Sequence, residues 1–394
     1  MTEAPAPAGQ HTVREHNLKL VLAELVTGPG SRAELAQRTG LTKATVASLV
    51  DTVIEQGILL EADPEVSGPG RPSRMLSFHP EGPVAVGVEI NIDYTAICEL
   101  DLTGKLIRHE QHPVDNRVGT LTGVLRHTAR ICRAFVQGGR RPLLGVGLGV
   151  PGAVSPDGQV LRAPNLPVLN GESIGPSFSQ QLGLNLGAPV IVENEANLGA
   201  LARLRSAPDA GQDFVYVSGE IGVGAGLIVE GELFRGLNGF AGELGHVVVD
   251  RDGPACGCGG QGCVEQYAGQ DVLLRTARQP DVEALLAAIS RGDSRAWGAV
   301  DRAGAALGVG LASLLNVVDL PMVVLGGVYA RLFDAITPSL QAELGRRVLS
   351  SGRGGGQIRR SSLGVDAAVR GAAGLVIDRA LKEPRQLAAG LQSG

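Results

Sequence analysis

The chain has 394 residues, enough for two or three domains that each bury a core. Its formal net charge is −5, which excludes a protein that coats nucleic acid along its whole surface, so any DNA contact must be local. The 57 glycines and 22 prolines are spread between apolar runs, which indicates many tight turns in an α/β protein.

The first residues show no targeting signal. Residues 1–10 are rich in Ala and Pro and lack both the basic and the apolar regions of a signal peptide. No stretch reads as long and apolar enough to span a bilayer, so we expect no membrane association. We therefore expect a cytoplasmic protein with a disordered N-terminus over residues 1–12, and with Cys98 and Cys132 as reduced core residues.

Residues 13–79 are predicted to form a winged helix-turn-helix domain. A helical repeat of apolar residues precedes a Gly-Pro-Gly break, and Ser31 and Glu34 then form a capping-box pattern that opens a second helix ending at Gly40. Thr42 is placed to cap a third helix. The apolar stripe of that helix comprises Val46, Leu49, Val50, Val53 and Ile54. Two short helices joined by a tight Gly-containing turn are typical of helix-turn-helix domains.

The third helix resembles a recognition helix. The candidates for contact with base edges in the major groove are the polar residues at its N-terminal end, Thr42, Lys43, Thr45 and Ser48. Residues 58–61 and 74–78 alternate like the strands of a hairpin, and the loop between them holds Arg71 between Gly and Pro. Such an arginine suits a narrow minor groove or a phosphate. Because the domain is not strongly basic, a protein-interaction module is the alternative.

The remaining chain contains two strand-rich groups after a linker at residues 79–83. The first group has predicted strands at 84–90, 94–100, 106–112 and 143–150 and a helix at 121–135, and the second has strands at 214–218, 225–229, 233–234 and 322–325. The two openings resemble each other. This weak internal repeat predicts two related α/β lobes with a cleft between them, where small ligands bind.

Four potential soft metal ligands lie between two carboxylates, Glu243 and Glu265. The ligands are His246, Cys256, Cys258 and Cys263. One imidazole and three thiolates make a closed tetrahedral set that suits structural Zn²⁺ and has no open position for a catalytic water. An oxidised cysteine pair plus one free thiol is the alternative, but nothing else in the sequence indicates an oxidising compartment.

These motifs resemble the signature of the ROK family, which groups sugar-responsive repressors with sugar kinases. The matching segments are Gly222-Val-Gly224-Ala-Gly226-Leu227, Gly236, Gly242 to His246 and the cysteine motif that ends at Glu265. The resemblance covers residues 84–381, and the winged helix in front resembles the xylose-repressor-like branch. It implies a two-lobed, actin-like fold of the ribonuclease H type, a structural zinc and a monosaccharide in the cleft.

The resemblance also implies domain boundaries. The ROK domain is expected at residues 80–394. Lobe I would contain about 84–195 together with a C-terminal helix at about 369–390, and lobe II would contain about 196–368.

The family's sugar-binding positions carry over residue by residue. They match Asn194, Glu195, Glu243, His246 and Glu265, and Gly152 and Asn165 are expected to line the same pocket. Carboxylates and an Asn amide suit vicinal hydroxyls, because they offer paired acceptors and donors. His246 would use one ring nitrogen for zinc and the other for a sugar hydroxyl. A solvated surface is the alternative for any single Glu.

The phosphate-handling motifs depart from those of ROK kinases. Where the family has approximately Asp-x-Gly-Gly-Thr, this chain has residues 89–93, Glu-Ile-Asn-Ile-Asp, and where the family has Gly-Thr-Gly it has residues 220–222, Glu-Ile-Gly. The side chains would crowd a phosphate and the carboxylates would repel it. The catalytic Asp is matched by Glu195, which is one methylene longer. We therefore predict no catalytic residue, no bound ATP and no phosphotransfer.

Together with the predicted winged helix, the resemblance implies a DNA-binding regulator of carbohydrate genes, most simply a repressor. A monosaccharide or sugar derivative in the cleft would modulate its binding to operator DNA. A homodimer or tetramer would bind a palindromic operator. The alternatives are an ATP-dependent sugar kinase and a regulator that senses a non-sugar signal.

Overall fold

The computed structural model describes residues 10–62, 74–186, 189–207, 211–220, 222–353, 355–384 and 387. The predicted contributions of Arg71 and Ile221 lie outside the described residues. Helix α1 begins at Gln10, so residues 10–12 are helical and the expectation of disorder through residue 12 is wrong there. The reason is local: neither Gly nor Pro separates Gln10 from Val13.

The N-terminal domain has the predicted helices and hairpin. Helices α1 to α3 span Gln10–Val26, Arg32–Thr39 and Lys43–Glu55, and strands β1 to β3 span Gly30–Ser31, Leu59–Ala62 and Met75–Phe78. Ser31 and Glu34 form the capping box, Gly40 ends α2 in the left-handed conformation, and the Thr42 side chain caps α3. The strands pair antiparallel in the order β1-β3-β2, so the hairpin carries a short third strand.

Lobe I, as we use the term for the structure, is built on a five-stranded sheet. Strands β4 to β7 span Val84–Ile90, Tyr94–Asp101, Leu106–Pro113 and Leu143–Val150, strands β8 and β9 span Ala153–Val154 and Val160–Arg162, and β10 spans Ile191–Asn194. Helices α4, α5 and α6 span Leu121–Gln137, Ile174–Leu182 and Glu195–Ser206. The sheet order is β6-β5-β4-β7-β10; β8 and β9 pair separately.

Lobe II is built on a second five-stranded sheet. Strands β11 to β15 span Phe214–Gly219, Val223–Val229, Glu232–Leu233, Met322–Gly326 and Gln357–Arg360, in the order β13-β12-β11-β14-β15. Helices α7 to α13 span Glu265–Ala268, Gln270–Ala277, Val282–Ser290, Ser294–Val318, Gly327–Arg331, Phe333–Arg347 and Ala367–Lys382. In both sheets three antiparallel strands are followed by two parallel ones, so the repeat predicted from sequence is present in the topology.

Helix α13 returns from lobe II to pack on the sheet of lobe I. The packing is so close that a Cβ at Gly147 would lie 2.1 Å from the carbonyl oxygen of Ala372. Helix α13 also contacts α1, and one apolar cluster contains Val21 and Leu22 of α1 together with Ile377 of α13. The N-terminal domain therefore packs directly against lobe I.

Helix α10 corrects one expectation from the sequence. Among the described residues it alone is long and apolar enough, by length and composition, to cross a membrane, but 61% of that stretch is buried inside the protein. It packs on α12, where a Cβ at Gly308 would lie 2.6 Å from the Cβ of Glu343. The apolar, small-residue composition of α10 is explained by this helix contact in the core of lobe II.

Candidate functional site

A cleft of about 680 Å³ lies between the lobes. Its walls contain all seven residues predicted for ligand binding, namely Gly152, Asn165, Asn194, Glu195, Glu243, His246 and Glu265. Further lining residues include Asn91, Pro151, Asn197, Gly222, Gly224 and Ala241. These seven residues, which lie far apart along the chain, thus line one polar cavity.

Asn194 and Glu195 lie at the junction where β10 ends and α6 begins. The side-chain oxygen of Asn194 accepts hydrogen bonds from the backbone N–H groups of Ala196 (2.8 Å) and Asn197 (3.0 Å). Its Nδ2 donates to the Gly152 carbonyl oxygen and to Glu195, both at 2.9 Å. Asn194 therefore caps the helix and orients Glu195 toward the cavity.

Two carboxylates on lobe II face this junction. Burial, together with the charge of Glu265, raises the pKa of Glu243 to about 7. Burial also raises the pKa of Glu195 well above its usual range, and the carboxylates of Glu220, Glu89 and Glu243 add to that shift. The cavity is thus an acidic site whose groups are poor hosts for a further negative charge.

Glu265 is held by groups from both lobes. Its Oε2 lies 3.4 Å from Nδ2 of Asn165 and 3.3 Å from the backbone nitrogen of Val223, and both nitrogens donate to it. A Cβ at Gly222 would lie 2.2 Å from the same oxygen and 2.8 Å from the Asn165 amide nitrogen. Only glycine fits at residue 222 without displacing this pair from the cleft wall.

The predicted metal ligands lie together beside the cavity. The donor atoms of His246, Cys256, Cys258 and Cys263 all lie within 4.8 Å of one another, so this cluster can hold a metal ion. The five cysteines of the chain are free, which does not match the alternative of an oxidised pair. His246 has Nδ1 at 3.7 Å from Sγ of Cys256 and Nε2 at 3.8 Å from the Glu243 carboxylate. One ring nitrogen therefore faces the thiols and the other faces the cavity carboxylates.

A second cavity of about 520 Å³ is lined in part by Asn91 and Glu220, which belong to the two segments matched in sequence to the kinase phosphate loops. Its lining includes Asp93, Gln111, Gly327 and Arg331. At the border between the two cavities Glu89, Asn91 and Tyr94 of lobe I are hydrogen-bonded to one another, and Asn91 and Tyr94 both donate to Glu220 of lobe II. The second cavity is therefore closed on one side by a polar cluster that connects the lobes.

Four of the predicted DNA-contacting residues lie at the N-cap and in the N-terminal half of α3. Thr42, Lys43 and Ser48 are exposed and Thr45 is half-buried. The exposed Arg14 of α1 was not predicted: its guanidinium donates to Ser48 Oγ (3.3 Å) and Thr52 Oγ1 (2.9 Å), so a positive charge lies beside the predicted recognition face. Only its position in the folded domain identifies it, because α1 and α3 are far apart in sequence.

Sequence reasoning also missed contacts between the lobes. Arg235, on the loop after β13, donates to the buried Glu193 at 2.6 Å, directly beside Asn194. Arg162 of β9 donates to the carbonyl oxygen of Cys258 in the metal-ligand loop. Arg235 lies in a Gly-rich loop and Arg162 at the end of a strand. The neighbouring sequence does not indicate which distant group either residue will contact.

The fold and the site define a winged-helix domain joined to a two-lobed, actin-like domain with a polar cleft. Residues 85–379 match the ROK family. The chain is 31% identical to the xylose repressor of Bacillus subtilis, over 95% of this chain and 98% of that protein. It is 27% identical to the DNA-binding transcriptional dual regulator NagC of Escherichia coli, over 85% of this chain and 86% of that protein. The chain belongs to the ROK family.

Solved structures agree with this assignment. A ROK family transcriptional regulator described as a homologue of the Escherichia coli MLC protein aligns with a TM-score of 0.79 at 24% identity, over 96% of this chain and 99% of that chain. A ROK glucokinase from Streptomyces griseus, solved with glucose and AMPPNP, aligns with a TM-score of 0.65 at 28% identity. The alignment covers 74% of this chain and 98% of the kinase, so about a quarter of this chain has no counterpart in the kinase.

Proposed function

We propose that the protein is a transcriptional repressor of carbohydrate genes whose operator affinity is set by a sugar in the inter-lobe cleft. The observation that carries this proposal is the direct packing of the winged-helix domain on lobe I, which supplies half of the cleft wall. The names of full-length relatives, xylose repressor and N-acetylglucosamine repressor, support it. An operator requires access to the chromosome, so the protein would act in the cytoplasm.

The sugar would be bound chiefly by Glu195, Glu243 and Glu265, with His246 and Asn165 at its edge. Asn194 would act mainly by orienting Glu195, since both donors and the acceptor of its amide are already engaged. Gly152 supplies the carbonyl that holds Asn194, and its φ of +121° favours glycine there. Paired carboxylates suit the vicinal hydroxyls of a monosaccharide.

The effector would be neutral, not phosphorylated. The described residues that line the cleft include no lysine or arginine, while they include three glutamates. A phosphate would enter an acidic site with no cation to pair with it. Sugar phosphates and sugar acids should therefore bind much more weakly than the parent sugars.

The metal would be a structural Zn²⁺ held by His246, Cys256, Cys258 and Cys263. Two thiolates on a tetrahedral zinc ion lie about 3.8 Å apart, because each Zn–S bond is about 2.3 Å. The 3.7 Å between the sulfur atoms of Cys258 and Cys263 fits that geometry. The ion would fix the ring of His246 so that its Nε2 faces the sugar.

Phosphotransfer is not expected. The side chains of Asn91 and Ile92 stand where a phosphate loop needs glycines, and Glu89 and Glu220 add negative charge beside them. No ATP would bind, and Glu195 would have no role as a catalytic base. The sugar kinase remains the second candidate because a glucokinase shares the fold of the two lobes.

The DNA interface would be formed by Thr42, Lys43, Thr45 and Ser48 in the major groove and by Arg71 in the wing. Arg14 would add a phosphate contact. A homodimer or tetramer would bind a palindromic operator, and closure of the lobes on sugar would change the spacing of its two winged helices.

A thermal-shift screen tests the sugar-binding part of this proposal. Purified protein is heated with neutral pentoses, hexoses and N-acetylated sugars, and with their phosphates, each with and without operator DNA. A neutral sugar is expected to raise the unfolding midpoint, and operator DNA is expected to reduce that rise, because the two ligands favour different forms. The proposal fails if no sugar stabilises the protein or if only phosphorylated sugars do so.

A further inference from the structure

Glu89, Asn91, Tyr94 and Glu220 form a cluster that we call the inter-lobe cluster. Glu89 is the penultimate residue of β4, and Asn91 and Tyr94 flank the turn between β4 and β5. Glu220 directly follows β11 of lobe II. Asn91 Nδ2 lies 3.1 Å from Oε1 of Glu89 and 2.7 Å from Oε2 of Glu220. Tyr94 Oη lies 2.9 Å and 2.7 Å from the same two oxygens. Two carboxyl groups from opposite lobes therefore share the same pair of partners.

The number of hydrogen atoms limits how this cluster can be ionised. The amide of Asn91 has two hydrogens and can serve both carboxylates, although its Nδ2 also lies 3.0 Å from Tyr94 Oη. Its orientation is fixed because its Oδ1 accepts from the backbone nitrogen of Ile92 at 2.7 Å. The hydroxyl of Tyr94 has one hydrogen for two carboxylate oxygens. If Glu89 and Glu220 were both ionised, one of the two contacts would place lone pair against lone pair. One additional proton, on either carboxyl, gives both contacts a hydrogen.

The surroundings of the cluster add negative charge. Asp93, Glu195 and Asp366 face it, Arg370 is paired with Asp366 at 3.4 Å, and Arg331 lies across the second cavity in an ion pair with Glu283. The nearby Cys98 and Tyr216 are both buried, and burial raises the pKa of each. Among the described residues no lysine or arginine side chain is hydrogen-bonded to the cluster, and Oε2 of the buried Glu89 has no hydrogen-bond partner.

We propose that the inter-lobe cluster is a proton-binding latch: one proton shared by Glu89 and Glu220 holds the lobes closed, and loss of that proton favours opening. In the open form the two carboxyls would separate and regain water, so each could ionise independently. Closing the lobes therefore takes up one proton. The latch itself needs neither sugar nor operator DNA. Only an effect of the latch on sugar or operator binding would rest on the proposed function.

The direction of the pH dependence follows from the burial of the carboxyls. Burial, then the charge of Glu220, raises the pKa of Glu89 to about 8, and burial also raises the pKa of Glu220. A group with a raised pKa is protonated in the closed form at pH values where it is ionised when exposed to water. The closed form is thus favoured at acidic pH and loses stability as pH rises from about 4.5 toward about 8.

The test compares the full chain with Glu220→Gln, without sugar or DNA. In this variant the Gln oxygen can accept from Asn91 while Tyr94 donates to Glu89, the one carboxylate left, so the lobes should stay closed without a shared proton. The exposed Glu232→Gln, on strand β13 of the same lobe, removes an equal charge and is the matched control. The unfolding midpoint of the wild type and of Glu232→Gln should fall between pH 6 and pH 8 by about 1.5 °C per pH unit more than that of Glu220→Gln.

X-ray scattering at pH 6 and pH 9 reports lobe opening directly. The wild-type radius of gyration should increase with pH, whereas that of Glu220→Gln should stay at the compact value. Tyr94→Phe keeps the ring but removes the shared hydroxyl, and it should be expanded at both pH values. Because this readout needs no sugar and no DNA, it can fail while the proposed sugar response holds, or the reverse.

Three results would overturn the latch. One is a pH profile of Glu220→Gln that coincides with the wild type. Another is a radius of gyration that does not change with pH in any variant. The last is a wild type that Mg²⁺ or Ca²⁺ compacts at pH 9 while Glu220→Gln does not respond, which would make the cluster a cation site.

Discussion

The two cavities between the lobes use polar side chains in opposite ways. In the cavity of about 680 Å³, the carboxylates of Glu195 and Glu243 line the open space, and His246 of the metal-ligand cluster lines it too. At the border of the cavity of about 520 Å³, Glu220, which lines it, and the buried Glu89 each accept hydrogen bonds from side chains of the protein. The side chains of the first cavity are available to form hydrogen bonds with a ligand, whereas the carboxyls beside the second are hydrogen-bonded to neighbouring side chains. On the proposed function, the first cavity would keep the sugar while the second would no longer hold a phosphate.

Removal of a metal ligand should have the largest effect on this contrast. Cys258→Ser is expected to lose the bound ion, abolish sugar binding and lower the free energy of unfolding by about 3 kcal/mol or more, because the loop that carries His246 loses its cross-link. Elemental analysis and thermal unfolding measure both effects. Cys132→Ala, in the core of lobe I, is the matched control and should keep one ion per chain. A stable, sugar-responsive Cys258→Ser protein would separate the metal from the sugar cavity.

Neutralising a carboxylate in the cavity that contains Glu195 and Glu243 should weaken sugar binding. For Glu243→Gln we expect a loss of about 10- to 100-fold in affinity, the range for one charge-assisted hydrogen bond. Isothermal titration with the sugar found by the thermal screen measures it. Glu232→Gln removes the same charge from an exposed site on the same lobe and should bind normally. Equal affinities for the two variants would show that Glu243 does not contact the sugar.

Glu195→Gln should separate stability from sugar binding. Burial raises the pKa of Glu195, so the folded protein binds a proton there more tightly than the unfolded chain does. The Glu195 carboxyl therefore lowers the free energy of unfolding increasingly as pH rises above about 4.5. The Glu195→Gln protein should be more stable than the wild type at pH 8 by about 1 kcal/mol. Its sugar affinity should nevertheless fall. Urea unfolding at pH 5 and pH 8 tests the sign: a variant less stable than the wild type at pH 8 would contradict it.

Changes in the N-terminal domain should alter operator affinity but leave both cavities intact. Lys43→Ala and Arg14→Ala are each expected to weaken operator binding by about fivefold and to reduce its salt dependence, while sugar affinity stays the same. Fluorescence anisotropy at several salt concentrations measures both quantities. Lys105→Ala, in the β5–β6 turn of lobe I, is a suitable control for the loss of one positive charge. An unchanged salt slope would remove Lys43 or Arg14 from the interface.

The sequence predicted those parts of the fold that depend on local patterns. The Ser31–Glu34 capping box and strands β4 and β7 follow from side-chain chemistry and apolar runs within a few residues, and each lies where it was predicted. The metal-ligand cluster was found because its cysteines lie within eight positions of one another, 256 to 263. The internal repeat predicted the cleft, and the family resemblance added the sugar, which composition and spacing alone do not give.

Long-range partners could not be predicted in this way. Tyr94 reads as an ordinary strand residue, and its contact with Glu220 exists only because two sheets face each other. The same holds for Arg235 beside Glu193 and for Arg14 beside Ser48. For helix α10 the local composition itself is ambiguous, because an apolar helix in a protein core and one in a membrane have similar compositions.

One titration tests the central claim most directly. Operator DNA is first selected from a random-sequence pool, and its affinity is then measured by anisotropy against each neutral sugar, with ATP present and ADP release followed in the same sample. We predict that at least one neutral sugar weakens operator binding by about 5- to 150-fold, the usual range of allosteric coupling, without ADP release. Sugar-dependent ADP release, or an operator affinity that no sugar changes, would contradict the account.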